Sequence, residues 1–234
     1  MCSAIDSEEK IDINFRETIN ILKENSVAYW LCQGTLLGVI RDKKLIPWDH
    51  DIDLALWNGS ISKERIKEIM LAKNFILKDK FLDQDDQLTF TKTGGREVDF
   101  NFYEVLTNSN NEKIAFVDWK IPRNKTCKLI EALAAANIYE GNFKSIIKIF
   151  SFSQPIFLRL KIILIKKNLF YQSAGYSHPV RLVDEIIDMR FKDLEIKVPK
   201  KFDEYLKYIY GDNWIVPKKK FNWIKDSPST IKRK

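Results

Sequence analysis

The sequence predicts an α+β fold, and three observations carry that reading. Ile11, Phe15, Ile19 and Leu22 recur at helical steps and give one apolar stripe near the start of the chain. Val27–Cys32 (VAYWLC), Ile52–Trp57 (IDLALW) and Glu97–Glu104 (EVDFNFYE) are short runs of apolar and aromatic residues, or of such residues alternating with polar ones, as strands are. From Leu129 onward the apolar residues fall into longer stretches with scattered lysines, a helical habit. The chain therefore divides into an α/β part over residues 1–122 and a mainly helical part over 123–234.

Taken in order, the first helix is expected over about residues 7–24, with Asp6 as its cap and Glu9 three residues on in capping-box spacing. The strand Val27–Cys32 ends at Gly34-Thr35, and Leu36–Arg41 forms a short helix. After the strand Ile52–Trp57, Ser62 caps a helix that turns Ile66, Ile69 and Met70 inward. Phe75–Phe81, Gln87–Lys92 and Glu97–Glu104 follow as strands, the last two joined through the turn signal Gly94-Gly95. Beyond residue 122, helices are expected over Leu129–Ile138, Phe143–Phe150, Ile156–Phe170, Val183–Arg190 and Lys201–Tyr210, the last closed by Gly211.

Composition narrows the class further. Apolar residues make up 45% of the 234 and charged residues 30%, enough to bury a core and to exclude wholesale disorder. The three cysteines, Cys2, Cys32 and Cys127, are too widely spaced for a zinc site and point to a reducing cytoplasm. Residues 1–10 lack the apolar core of a secretory signal. With 39 Lys and Arg against 32 Asp and Glu the net charge is +7, and it is unevenly placed. Lys218–Lys234 holds seven cations and one acid, and Arg159, Lys161, Lys166 and Lys167 are interleaved with Ile, Leu and Phe. Lys148, Arg159 and Lys161 interrupt the most apolar stretch, Ile146–Ile165, which is thus expected to lie buried or along a surface; attraction of these basic stretches to anionic membrane is one expectation, at the inner face of the cell membrane.

The most informative segment is Gly34–Asp53, GTLLGVIRDKKLIPWDHDID. Side chains alternate along a strand, so Asp49, Asp51 and Asp53 point one way while Ile52, Leu54 and Leu56 point into the core. In EVDFNFYE, Asp99 and Asn101 face opposite to Val98, Phe100 and Phe102. If the two strands lie side by side with polar faces aligned, Asp99 joins Asp51 and Asp53. Carboxylates so gathered repel unless a cation sits among them, and Mg²⁺ is the natural one, with Mn²⁺ as an alternative. Gly34 and Thr35, between a strand and a helix, suit close approach of backbone amides to a phosphate, and Arg41 offers a phosphate fork. Lys92 and Arg96 flank the turn before Asp99 and are further donor-phosphate candidates. His50, of opposite parity to the aspartates, is expected to pack structurally, and His178 to sit in a surface loop or close over the donor. Trp48, Trp119, Trp214 and Trp223 are candidates for stacking on a base or sugar; Trp48 can also pack beneath the metal strand.

Gly-Thr-Leu-Leu-Gly at 34–38, Arg41, Ile-Pro-Trp-Asp at 46–49, Asp51-x-Asp53 and the apolar-flanked Asp99 resemble the signature of the LicD family, which includes fukutin and fukutin-related protein, within the nucleotidyltransferase fold of the DNA polymerase β superfamily. Val198–Pro217 resembles the family's ending, a helix closed by Tyr-Gly with Pro shortly after. The resemblance implies a polymerase β-like mixed sheet. It also implies transfer of a phospho-alcohol (phosphocholine, ribitol phosphate or glycerol phosphate in type) from a CDP-activated donor to a hydroxyl of a cell-surface glycan, free or lipid-linked, with attack on the phosphorus bearing the alcohol and release of CMP. Asp51, Asp53 and Asp99 carry over as metal ligands, and Asp49 as ligand, orienter or base, with Asp99 the other candidate base. Two alternatives stand beside this: a nucleotidyltransferase acting on an NTP, and a non-catalytic basic binder of nucleic acid or membrane. No specific nucleic-acid partner is expected.

Overall fold

The computed structural model describes residues 11–78, 87–137 and 143–233. In chain order the regular elements are α1 (Ile13–Glu24), β1 (Trp30–Leu31), α2 (Gln33–Leu37), a π-helical turn (Gly38–Asp42), β2 (Asp51–Trp57), α3 (Lys63–Leu71), β3 (Ile76–Leu77), β4 (Gln87–Thr91), β5 (Glu97–Thr107), β6 (Lys113–Pro122), α4 (Lys125–Ala134), α5 (Lys144–Ile149), α6 (Gln154–Lys166), β7 (Tyr171–Pro179), β8 (Ile186–Phe191), β9 (Leu194–Pro199), α7 (Phe202–Tyr210), α8 (Trp223–Asp226) and β10 (Thr230–Arg233). The class is α+β. The sequence reading drew one boundary at 122/123; in the structure residues 1–117 and 176–230 make one compact unit, and 118–175 with 231–234 the other.

The first unit is built on β2 and β5. They pair in parallel with Asp51 opposite Glu97, Asp53 opposite Asp99 and Leu56 opposite Phe102. β1 adds to the outer edge of β2 antiparallel, and β4 to the other side of β5, with Thr89 opposite Asp99. The alternation read from the sequence is obeyed: Ile52, Leu54, Leu56, Val98, Phe100 and Phe102 are fully buried, as are Phe15, Ile19, Leu22, Ile66 and Met70 of the helices. Beyond Tyr103, β5 exchanges partners and forms a hairpin with β6.

α1 is shorter at its start than expected. Residues 11–12 are not helical, and Asp12 is the cap, accepting from the amides of Asn14 and Phe15 at 2.9 and 3.1 Å; Asp6 and Glu9 lie outside the described residues. Asn14, wholly buried on α1, donates through Nδ2 to the carbonyls of Lys92 and Arg96, both at 2.8 Å, and so clamps the two ends of the β4–β5 turn. The turn can come this close because Gly95 has no side chain; a Cβ there would lie 2.5 Å from Asn14 Cγ. The strand expected over 27–32 narrows to Trp30–Leu31, and of Phe75–Phe81 only Ile76–Leu77 is strand, with 79–86 outside the described residues.

The helix expected over Val183–Arg190 is instead β8, paired antiparallel with β9 from Ile186↔Pro199 to Phe191↔Leu194. The deciding signal is the period-two burial of Leu194, Ile196 and Val198, which requires a partner strand just before it. Lys192 takes φ 56° to close the turn, Phe191 meets Phe15 of α1 edge-on at 6.1 Å, and Arg16 forms a fork with Asp193 at 2.8 Å for each bond. The segment around His178, expected as loop, belongs to strand β7.

His178 is therefore not in a surface loop. It is fully buried on β7, with ring centroids 5.4 Å from Tyr103 and 5.0 Å from Tyr205. Burial lowers its pKa from 6.5 to about 4, against a hydrogen bond to the Pro179 carbonyl. The folded chain thus keeps the imidazole neutral where the unfolded chain, below about pH 6.5, protonates it. The associated stability is fully present above pH 6.5 and is lost as pH falls towards 4. Between pH 7.5 and 4.5 we expect wild type to lose on the order of 2–3 kcal/mol relative to His178→Phe in urea unfolding. Parallel stability curves for the two proteins would show that the ring is not held neutral.

Candidate metal centre

The site grows from the start of the parallel pair. β2 and β5 begin at the same level, so the two-residue alternation in each brings Asp51, Asp53 and Asp99 to one place. Each offers a carboxylate oxygen, and the three lie within 4.8 Å of one another. Asp53 and Asp99 are buried and Asp51 is half-buried. At an effective dielectric of ~20, two unit charges at that distance repel by roughly 3–4 kcal/mol. That cost shows in the titration. Burial, then the hydrogen bond and charge of Asp49, push Asp51 up to about 7. Burial, then Asp51, Asp99 and Asp49, hold Asp53 well above the ordinary carboxylate range, with the Gly34 amide, which donates to it, opposing. An all-oxygen set of crowded carboxylates is what a hard divalent cation prefers, and these three residues could hold one.

Asp49 precedes β2 in a turn that its amide closes on the Ile46 carbonyl at 3.1 Å, and its side chain reaches the cluster without being on the strand. Gly34 explains how. A Cβ at Gly34 would fall within the van der Waals radius of Asp49 Oδ2 and 3.7 Å from Asp53 Oδ2. The glycine thus makes room for carboxylates, and its amide faces Asp53. Thr35 is buried, and its hydroxyl accepts from the Asp53 amide at 2.7 Å, fixing the helix α2 to the metal strand. Gly38 serves the same motif differently: a Cβ there would meet the Lys44 carbonyl at 2.6 Å and the Ile46 amide at 2.9 Å, so the loop carrying Pro47-Trp48-Asp49 can fold back on the π-turn.

The cationic candidates stand in other pairings. Arg41 is half-buried, its side chain nearly enclosed, and grips Asp42 in two bonds of 2.7 Å. Lys92 bonds Glu17 at 2.6 Å and the Lys73 carbonyl at 2.9 Å, and Arg96 lies 3.8 Å from Asp12, so both are tied to α1. His50 is exposed rather than packed inside, because β2 begins only after it. Trp48 is also exposed, with the Lys219 ammonium 5.4 Å above its ring, and does not pack beneath the strand. Trp223 packs on Tyr176 at 5.6 Å, and Trp119 belongs to the second unit.

Two residues that the sequence reading missed complete the centre. Gln87 Nε2 donates to Asp99 Oδ2 at 2.6 Å, and the Thr89 hydroxyl donates to Asp99 Oδ1. Both lie on β4 and face the cluster by the same alternation, since Leu88 and Phe90 turn the other way. The pattern Gln-Leu-Thr-Phe-Thr displays this, but only the cross-strand register Thr89↔Asp99 tells which polar face meets which. Tyr176, buried on β7, also feels the cluster: burial first, then the charge of Asp53, keeps it protonated.

Residues 26–127, a little under half of the chain, match the family described as LicD/FKTN/FKRP, nucleotidyltransferase domain. A stretch of 42 residues is 43% identical to ribitol 5-phosphate transferase FKRP of Mus musculus and of Homo sapiens, covering 18% of this chain and 8% of each relative. Over 41 residues it is 39% identical to the uncharacterized protein RP689 of Rickettsia prowazekii, covering 18% and 15%. Mannosyltransferase regulator 4 of Saccharomyces cerevisiae is 31% identical over 94 residues, 36% of this chain and 8% of that protein. The matched stretches thus span 15% or less of these relatives' own length.

Two expectations follow from the geometry. Thr35→Val leaves the Asp53 amide buried without its acceptor and should cost about 1–3 kcal/mol of stability, while Thr35→Ser should recover most of it. Equal loss in both variants by urea unfolding would mean the hydroxyl is not the acceptor that matters. Gly34→Ala should displace Asp49 and weaken Mn²⁺ binding in calorimetry by about tenfold or more, with the helical and strand content unchanged by circular dichroism. Wild-type Mn²⁺ affinity in that variant would remove Gly34 from the centre.

Proposed function

We propose, with residues 26–127 taken as a LicD/FKTN/FKRP nucleotidyltransferase domain, that this chain transfers a phospho-alcohol from a CDP-activated donor to a hydroxyl of a cell-surface glycan, releasing CMP. The observation that carries the reading is the gathering of Asp51, Asp53 and Asp99 within 4.8 Å inside that domain. The relatives named for ribitol 5-phosphate transfer support the class of group moved, and phosphocholine and glycerol phosphate are the other alcohols to test. We assign the activity to the cytoplasm, in keeping with Cys32 and Cys127, which are buried free thiols.

Asp51, Asp53 and Asp99 are the proposed ligands for Mg²⁺, or Mn²⁺ in its place. When bound, such an ion neutralises charge that builds on the donor's linked phosphates. Asp99 is held through both oxygens by Gln87 and Thr89 and is better suited to stay fixed than to take a proton. Asp49 lies against Asp51 without belonging to the triad and is the better candidate to accept the proton of the attacking hydroxyl. Gly34 and Thr35 border the carboxylates, whereas Arg41, Lys92 and Arg96 must each leave a present partner to meet the donor phosphates.

The test is product analysis. The chain, with Mg²⁺ and a sugar- or lipid-linked acceptor, is incubated with a panel of CDP-alcohols and separately with NTPs. We expect CMP and an acceptor heavier by one phospho-alcohol, and a loss of about 100-fold or more in Asp51→Asn, since even indirect supports of a metal cost 10–100-fold. Pyrophosphate release with a nucleotide left on the acceptor would replace this reading with nucleotidyl transfer. Undiminished turnover in Asp51→Asn would sink both.

A further inference from the structure

The second compact unit has a surface that its own fold does not account for. From Phe143 to Phe170 the chain carries six cations (Lys144, Lys148, Arg159, Lys161, Lys166 and Lys167) and no carboxylate. On α6, Ile156, Arg159, Leu160, Ile163, Lys166 and Lys167 are exposed, and their spacing of three or four residues puts them on one helical face. The opposite side is satisfied without them: Phe157, Leu164 and Ile165 pack on the buried cluster of Cys127, Ile130 and Phe170. The usual arrangement of a surface helix is inverted, because Lys161 is turned inward. It is buried, 3.3 Å from Glu131, and lies 5.6 Å from the ring centroids of Phe170 and Tyr171. An ordinary soluble face would carry the lysine outside and the isoleucines within.

The elements just before α6 continue the pattern. Only Ile147 of α5 is buried, against Ala132, Leu133 and Ala136. Ile149, Phe150 and Phe152 are exposed, Ile149 by 70% and Phe152 by 79%, and Lys144 and Lys148 are exposed among them. Large aliphatic and aromatic side chains standing in water, framed by cations in a stretch that contributes no acid of its own, match a surface with an apolar interior and an anionic boundary. A protein partner would be expected to meet cations with carboxylates at fixed positions. A second copy of this segment has none to offer, since it would bring cations against cations.

We propose that the 143–167 surface of the second unit is a docking face for anionic lipid bilayers, with Ile149, Phe152, Ile156 and Ile163 entering the boundary of the acyl region and Arg159, Lys166 and Lys167 meeting the headgroups. Among the described residues no helix is long and apolar enough to cross a membrane, so the contact is peripheral. It does not depend on the assignment of the metal centre.

The test uses the full chain, with vesicles of neutral phosphatidylcholine and of phosphatidylcholine mixed with phosphatidylglycerol. Co-sedimentation should occur with the anionic vesicles at low salt and fall at least tenfold in affinity at 0.5 M salt. Arg159→Glu should weaken it by about fivefold or more at low salt, the scale expected for one cation near the surface. Phe152→Ser with Ile156→Ser, both exposed and so compatible with folding, should abolish it while leaving circular dichroism and Mn²⁺ affinity unchanged. No pelleting at either salt overturns the proposal. So does equal binding by the serine variant, or concentration-dependent dimerisation in sedimentation velocity that the serine variant abolishes without any vesicle binding.

Discussion

Everything in the first unit answers to one constraint: two buried carboxylates, Asp53 and Asp99, sit directly opposite each other in a parallel strand pair. That pairing is unfavourable by itself. It persists because the apolar faces of β2 and β5 are driven inward by Ile52, Leu54, Val98, Phe100 and Phe102, and a slip of one residue would turn all of these to the wrong side. The core thus enforces the charge crowding, and the polar surroundings moderate it. Gly34 donates an amide to Asp53, Thr35 anchors the Asp53 amide, and Gln87 and Thr89 occupy Asp99. The carboxylates are preorganised by neighbours whose own positions are set by sheet register, which is the arrangement a reusable cation site requires.

The short motif Gly34–Gly38 reads differently once packed. Its first glycine clears space for an aspartate that comes from fifteen residues later, its threonine secures a strand amide, and its last glycine lets the returning loop cross the π-turn. Arg41, at the end of that turn, is neutralised by the adjacent Asp42. The motif is a hinge-free bracket for Asp49, Asp51 and Asp53, and each of its small residues is explained by a contact under 3 Å or by an atom that a Cβ would displace.

What was legible in the sequence was whatever period two or period 3.6 could state locally. Asp51, Asp53 and Asp99 were placed on polar faces by alternation, and the helices α3 and α7 were found with their cap residues Ser62 and Gly211. What was not legible depended on partners far away. Val183–Arg190 was expected as a helix because its apolar residues are ambiguous until Leu194, Ile196 and Val198 claim the neighbouring strand. Gln87 and Thr89 were unremarked because an alternating strand does not reveal which polar face it will meet. His50 and His178 exchanged expectations: the one thought packed is exposed, and the one thought to be in a loop is enclosed by Tyr103 and Tyr205. His50 falls just before β2 begins, whereas His178 is enclosed because Tyr171–Pro179 form a whole strand that was not foreseen.

Helix α1 has a consequence for the order of events during synthesis. Asn14 needs the carbonyls of residues 78 and 82 positions later, and Arg16 finds Asp193 after 177 positions. A ribosome adding ~5–20 residues per second takes on the order of ten to thirty seconds to make that last partner available. For that interval the nascent chain carries Phe15, Ile19 and Leu22 on a helix whose docking ground does not yet exist. A 12-residue helix is marginal by itself, and that marginal helicity helps to keep the stripe out of premature contacts. An element made well before its partners is thus locked late.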